Sequence, residues 1–349
     1  MKIYFLADTH LGAKSNNPIV LKDMMDYYNN VFIPYCRAHV QPDDILIHLG
    51  DVFDNRQAIG LNVITCAFNL FEELSTIFSD IRICVGNHDM FQKSSNDITG
   101  LYIVKYIPNI KIYFEPQVET ICGKDILFMP WIEDLKEQSK LCKLHNVDYI
   151  MGHLEINGSV TNSRKNIKLK SNDAVDIKDF KKAHVFAGHI HIRQKSKNIT
   201  YVGIPYHKDW GDCSNTKGIT ILDLETGKTQ FIENTYSPQY IVENIYDILD
   251  CTVEELKSRW NKNYVNLYIN SNHIIECKFD KLRELLSTTY REFNPISNKV
   301  DVSVENKEIK ISDTKSTFEV IDEYMNFCDV DDDIKQRIKT KLDKFKDAI

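Results

Sequence analysis

Six short polar pieces fall in order along this chain, and each closes an apolar run: Asp8-x-His10, Gly50-Asp51-x-x-Asp54, Gly86-Asn87-His88-Asp89, Gly152-His153, Gly188-His189-x-His191 and Gly203-x-Pro205. Carboxylate, imidazole and amide groups from distant parts of a chain converge most simply when strand ends deliver them to one edge of a sheet. So placed, they read as a two-metal phosphoesterase site, and the pattern constrains fold and chemistry together.

The runs between the pieces support that reading. Short apolar segments bounded by turn signals predict strands at Lys2–Ala7, Asp44–Leu49, Ile81–Val85, Lys111–Phe114, Asp125–Met129, Asp148–Met151, His184–Ala187 and Thr200–Val202. Helices fill the gaps, notably Pro18–His39, where Met24, Met25, Tyr28, Val31 and Phe32 recur at helical spacing, and Leu61–Phe78. Strands alternating with helices imply a layered α/β core. A turn at Glu225 to Lys228 joins Ile219–Leu224 to Thr229–Glu233 and adds an antiparallel edge. The catalytic domain is expected to end near Pro238, giving 1–238 as a first domain.

Beyond it, a strand at Tyr264–Asn270, a helix over Phe279–Tyr290 and a strand pair around Lys299–Ser312 outline a small α+β domain, 239–315, with no catalytic motif inside it. The remainder, 316–349, carries a helix at Phe318–Phe327 and, after an acidic break, a second with Ile334, Ile338, Leu342 and Phe345 in helical register. Two amphipathic helices after a domain read either as a docking element or as a hairpin folded back on its own domain.

Composition frames the partners. The nine cysteines lack any Cys-x-x-Cys pair and the N-terminus does not resemble a signal peptide, which points to a reduced, cytoplasmic compartment. The apolar run after Lys2 is far too short for a membrane span. A net charge of −7 argues weakly against a dedicated nucleic-acid coat, but distribution matters more. Between Arg164 and Lys208 stand eleven basic residues against three acidic ones, bracketing two candidate ligands. An isolated run of this kind is usually a solvated face; overlap with the motifs favours a phosphate-backbone track.

Asp8, His10, Asp51, Asn87, His153, His189 and His191 make a set of seven ligands, with Asp51 as the carboxylate that bridges two ions. Mixed imidazole and oxygen donors suit Mn, Fe or Zn better than Mg, and the absence of cysteine fits Mn or Fe better than structural zinc. Two Mn²⁺ ions are the leading expectation. They would acidify a water and neutralise phosphate charge during in-line attack. A leaving alkoxide needs a proton, and His88, beside the ligand Asn87, is the expected general acid, with Asp89 holding its imidazolium. His48, inside an apolar strand, reads as a buried residue with a hydrogen-bond partner. His207 reads equally as a cleft residue or a surface loop histidine.

The same motifs resemble the calcineurin-like metallophosphoesterases, and their surroundings resemble the DNA-repair branch of that family, the SbcD and meiotic-recombination-eleven type, including the nuclease subunits of tailed-phage recombination endonucleases. The resemblance implies a four-layer α/β/β/α sandwich, a small α+β capping domain over DNA, and a C-terminal helical hairpin that docks an SbcC-type coiled-coil ABC ATPase. It also implies a homodimer, a host bacterial cytoplasm if the source is a phage, and a manganese-dependent exonuclease on duplex ends that acts as an endonuclease on single strands and hairpins. By position, Asp8, His10, Asp51 and His191 would hold one ion, Asp51, Asn87, His153 and His189 the other, and His88 would be the catalytic histidine. One departure stands out. Many relatives carry a histidine three residues after the bridging aspartate, whereas this chain has Asp54, followed by Asn55 and Arg56. Arg56 reads as a phosphate contact or, more commonly, as half of a surface pair.

Three functions therefore compete: the DNA nuclease, a phosphatase or phosphodiesterase acting on a small molecule or phosphoprotein, and an inactive binding scaffold. The added domain, the basic stretch and the helix pair favour the first. Retention of all seven ligand types argues against the third.

Overall fold

The computed structural model describes residues 1–92, 95–144, 146–162, 167–170, 174–180, 182–248, 251–270, 291–298 and 336. Met1–Asn298 forms one compact unit and Lys299–Ile349 a second, which lies almost wholly outside the described residues. The helices expected at Phe279–Tyr290 and after Ser316, and the strand pair around Lys299–Ser312, also lie outside them.

Two six-stranded sheets make the body of the first unit. The first runs, edge to edge, Thr229–Glu233, Gly218–Asp223, Lys2–Leu6, Ile45–His48, Ile81–Cys84 and Ile110–Tyr113. The second runs Gln194–Ser196, Ile199–Tyr201, His184–Gly188, Tyr149–His153, Lys124–Met129 and Gln117–Ile121. The central strands of both are parallel, so their C-terminal ends point the same way within each sheet. The expected antiparallel edge is present, because Gly218–Asp223 pairs with both Lys2–Leu6 and Thr229–Glu233.

The strands read as continuous apolar runs because both faces are buried. Along Lys2–Leu6, Ile3 and Phe5 enter a core between the two sheets, while Tyr4 and Leu6 face a core beneath helices. In the second sheet Ile126 and Phe128 point inward and Leu127 and Met129 outward. Rings meet across the gap, Phe5 on Phe186 with centroids 4.7 Å apart and Tyr113 on Phe128 at 4.2 Å. Helices Pro18–His39 and Leu61–Ile77 cover the first sheet, and Leu135–Leu144 covers the second. The four layers are therefore α/β/β/α.

The helix over Pro18–His39 starts with Asn17 capping the amides of Ile19 and Val20, and with Pro18 where a missing N–H costs nothing. It continues through a π turn at Tyr28–Phe32. Pro34 explains the turn: its ring cannot sit over the carbonyl four residues back, and the wider turn makes room. The segment Tyr240–Asn298 contributes a separate sheet of Tyr240–Asn244, Tyr264–Asn270 and Glu292–Asn298 around Ile248, Leu256, Trp260, Val265 and Leu267. Pro295 is tolerated there because its strand lies at the edge. Among the described residues no helix is long and apolar enough to cross a membrane.

Candidate metal centre

The motif residues do not share one sheet edge, as the strand pattern suggested. Asp8, Asp51 and Asn87 follow strands of the first sheet, His153 and His189 come from strand ends of the second, and all meet where the two sheets approach. Three hydrogen bonds lock that approach. His153 Nδ1 donates to the Leu49 carbonyl at 2.8 Å, the Trp131 amide donates to the Val85 carbonyl at 2.8 Å, and the His189 amide donates to Asp8 at 2.9 Å.

The loops are turned sharply to aim their side chains inward. Asp8, His10, Asp51 and His189 all adopt left-handed backbone, with φ of 53°, 44°, 59° and 89°. Gly86 is demanded by contact, since a Cβ there would lie 2.2 Å from the Asp51 amide nitrogen. The Tyr206 hydroxyl, from the turn after Pro205, donates to the Thr9 carbonyl at 2.5 Å, so the sixth motif braces the first without supplying a ligand. His48 is fully buried, as expected. Its Nδ1 accepts from the Gly50 amide at 3.2 Å and its Nε2 meets Thr9 Oγ1 at 3.1 Å, a neutral imidazole that burial keeps uncharged, with its pKa lowered to about 3.

All seven expected ligands converge. Ligand atoms of Asp8, His10 and His191 lie within 4.8 Å of one another, as do those of Asp8, Asp51 and His153, and those of His10, Asp51 and His88. His10 Nε2 and His191 Nε2 are 3.0 Å apart. Asn87 Oδ1 lies 2.9 Å from His153 Nε2 and 3.1 Å from His189 Nδ1. His153 Nδ1 faces a carbonyl that only accepts, so it keeps its proton, and it is the neutral imidazole that would present an Nε2 lone pair. The centre is thus a set of acceptors aimed at one another, and a cation is the group that reconciles them. The carboxylates favour positive charge here, whether as a proton on His153 or as a cation. Burial works against charge on His153, yet Asp51 and Asp8 outweigh it and raise the imidazole to about 9. Burial likewise raises Asp8, to about 7, while around Asp51 burial is outweighed by His153, His10 and His88, which hold it well below the usual carboxylate range. The donor set therefore fits divalent metal ions.

Residues 1–193 match the calcineurin-like phosphoesterase family. The chain belongs to that family. It is also 27% identical to exonuclease subunit 1 of Enterobacteria phage T4 over 338 residues, 93% of this chain and 92% of that protein. Among solved structures, an archaeal phosphodiesterase is 16% identical, covers 67% of this chain and 100% of its own, and has a TM-score of 0.35. The phosphopantetheinyl hydrolase of Mycobacterium tuberculosis is 14% identical, covers 58% and 90%, and has a TM-score of 0.33. As a calcineurin-like phosphoesterase the protein is a metal-dependent hydrolase of phosphate esters.

Two expectations change once this phosphoesterase centre is seen. Asp89 does not touch His88. Its buried carboxylate accepts from four backbone amides, Asp51 and Gly86 at Oδ2 and Val52 and Phe53 at Oδ1, at 2.8 to 3.2 Å. It ties the Asn87 loop to the Asp51 loop. His88 is held by backbone instead: its Nδ1 lies 2.6 Å from the Asp54 carbonyl and its amide donates to Asp51 Oδ1 at 2.7 Å. The second change concerns the basic stretch. Lys208 pairs with Asp54 at 2.7 Å, and the Arg193 guanidinium lies 4.0 Å from the Phe231 ring centroid, so neither is a free surface charge. Lys168, Lys170, Lys182, Lys195 and Lys197 are exposed. His207 is half-buried beside Asp23 and Tyr206, and the Arg56 Nε is buried without a partner.

Sequence reasoning gave no role to several residues that touch the centre. Asp54 Oδ1 lies 3.2 Å from His10 Nδ1. Glu155 Oε2 lies 3.4 Å from His189 Nε2. The Trp131 ring packs on His189 with centroids 4.9 Å apart, and Lys217 donates to the His191 carbonyl at 2.9 Å. Glu155 had a legible signal, standing two residues after His153, where an extended chain returns a side chain to the same face. Lys217 and Trp131 had none.

Proposed function

We propose that the protein is a manganese-dependent DNA nuclease that hydrolyses phosphodiesters by two-metal catalysis, as an exonuclease on duplex ends and an endonuclease on single strands and hairpins. It is the nuclease subunit of an ATPase-coupled recombination and repair complex. Residues 1–238 are the nuclease domain, 239–315 cap DNA, and 316–349 dock an SbcC-type ATPase. The observation that carries the reading is that likeness to a phage exonuclease subunit extends over 93% of the chain, well past the residues matched by the phosphoesterase family. The exposed lysines between 164 and 208 support it as phosphate contacts.

In this reading Asp8, His10, Asp51 and His191 hold one cation, and Asp51, Asn87, His153 and His189 the other. When bound, the cations supply Lewis-acid activation of water and neutralise phosphate charge. His88 supplies the proton. With Nδ1 committed to the Asp54 carbonyl, its Nε2 is the nitrogen left to protonate the leaving oxygen. Asp89 keeps the loops of Asp51 and Asn87 in one frame, so acid and ligands move together.

Purified protein with Mn²⁺ should degrade duplex DNA ends, and Asp8→Ala should abolish cutting. Rapid hydrolysis of a small phosphomonoester without DNA cutting would overturn the reading. Truncation near Ser316 should release the ATPase partner and leave metal-dependent cutting measurable.

A further inference from the structure

Two carboxylates outside the ligand set each meet one histidine inside it, at opposite ends of the centre. At one end, Asp54 Oδ1 lies 3.2 Å from His10 Nδ1. The contact is close but lacks hydrogen-bond alignment; the charge of an ionised carboxylate beside Nδ1 favours the proton there, which leaves the Nε2 lone pair facing His191 Nε2, 3.0 Å away. The same Asp54 oxygen is 2.7 Å from Lys208 Nζ. The Asp54 and Lys208 side chains are 21% and 16% exposed, so water screens this pair less than a surface pair. The Asp54 carbonyl also receives His88 Nδ1, which fixes the residue at both main chain and side chain.

At the other end the ring is used the opposite way round. Glu155 Oε2 lies 3.4 Å from His189 Nε2, placing that proton outside, and His189 Nδ1 then turns its lone pair toward Asn87 Oδ1 and His153 Nε2, at 3.1 and 3.2 Å. His189 has left-handed backbone, a conformation that needs outside support in a residue with a Cβ. The Trp131 ring against its face gives part of that support.

We infer that Asp54 and Glu155 are paired positioning residues, each fixing the tautomer of one histidine, so that the two ends of the centre bind their cations with separately set affinities and Lys208 holds Asp54 in register. The inference rests on the two-metal part of the proposed function. It also gives Asp54 a task within this chain: it faces the ligand His10 and a lysine. Outer partners of this kind change metal affinity by about 10–100-fold when removed. The longer contact at Glu155 places it toward the lower end of that range.

Calorimetric titration of metal-free protein with Mn²⁺ tests this without any substrate. The wild-type chain should bind two ions. Asp54→Leu should weaken one of them by about 10–100-fold and spare the other, Glu155→Leu should weaken the spared one by about 10-fold, and the double variant should lose both. Asp54→Asn, which keeps an acceptor oxygen for His10 Nδ1, should recover much of the Asp54→Leu loss; a merely structural carboxylate gives no such order. If Asp54→Leu fails to fold by circular dichroism, Lys208→Met leaves both carboxylates in place and should give a smaller shift at the same step. Wild-type affinity in both leucine variants, or weakening of the same step by both, overturns the inference while the two-metal reading stands. A wild-type chain that binds only one ion overturns both.

Discussion

His153 donates its Nδ1 proton to the carbonyl of Leu49, 2.8 Å away on the other sheet. That bond makes a ligand of the second sheet depend on a strand end of the first. Cations held by Asp8, Asp51 and His153 would therefore tie the two sheets together, and metal should be felt in the stability of the whole unit.

Mn²⁺ should raise the melting temperature relative to protein stripped with a chelator. Free metal at 100 times its Kd adds about 2.7 kcal/mol if the unfolded chain binds none. Differential scanning fluorimetry across a Mn²⁺ series checks this, and a flat series would count against a metal centre at these residues.

His88→Gln should separate chemistry from assembly. Loss of a positioned proton donor lowers kcat by about 10²–10⁴-fold. Mn²⁺ affinity should stay near that of the wild type, because none of the seven ligands is changed.

Asp89→Asn tests the clasp between the motif loops. Its amide group would point two donors at backbone N–H groups that now share a carboxylate, and such buried mismatches cost about 3 kcal/mol together. Urea denaturation should show the loss, and DNA cutting should fall with it. A variant with full stability would mean that the four amides have another acceptor.

Acid should weaken the edge where Glu119 meets Arg82 and Lys111. Burial opposes the Glu119 charge, but Lys111, Tyr113 and Arg82 outweigh it, so its folded pKa lies below its ordinary 4.5. A lowered carboxylate binds fewer protons folded than unfolded; its contribution is complete above pH 4.5 and fades as pH falls through the lower folded value. Partial exposure keeps this below about 1 kcal/mol. Denaturation of Glu119→Gln should show a shallower loss between pH 5 and 3 than the wild type.

Much of the body of the fold was legible because its central strands are buried on both faces and stand out as apolar runs. All ten strands expected in the catalytic part are present, with ends shifted by a few residues at most. Several of the strands that went unread are polar or broken by rule. Gln194–Ser196 and Gln117–Ile121 lie at sheet edges and face solvent, and Glu292–Asn298 contains Pro295. For the centre, the ligands were visible because each ends a run, but their orientation was not. Which group holds His88, and what Asp89 does instead, depends on how the loops after three different strands cross one another. No spacing in the chain records that. Nor did any pattern foretell that the donors come from two sheets, since the motif order is the same for one sheet or two.

Four of the residues aimed at the centre, Asp8, His10, Asp51 and His189, occupy a backbone region that suits glycine better. At each of them a glycine would relax the main chain, yet remove the side chain that gives the loop its purpose. These loops are where selection for a sturdier protein and selection for a working one pull in opposite directions. A search for heat-tolerant variants should find its gains elsewhere, and variants with glycine at these four positions should emerge inert.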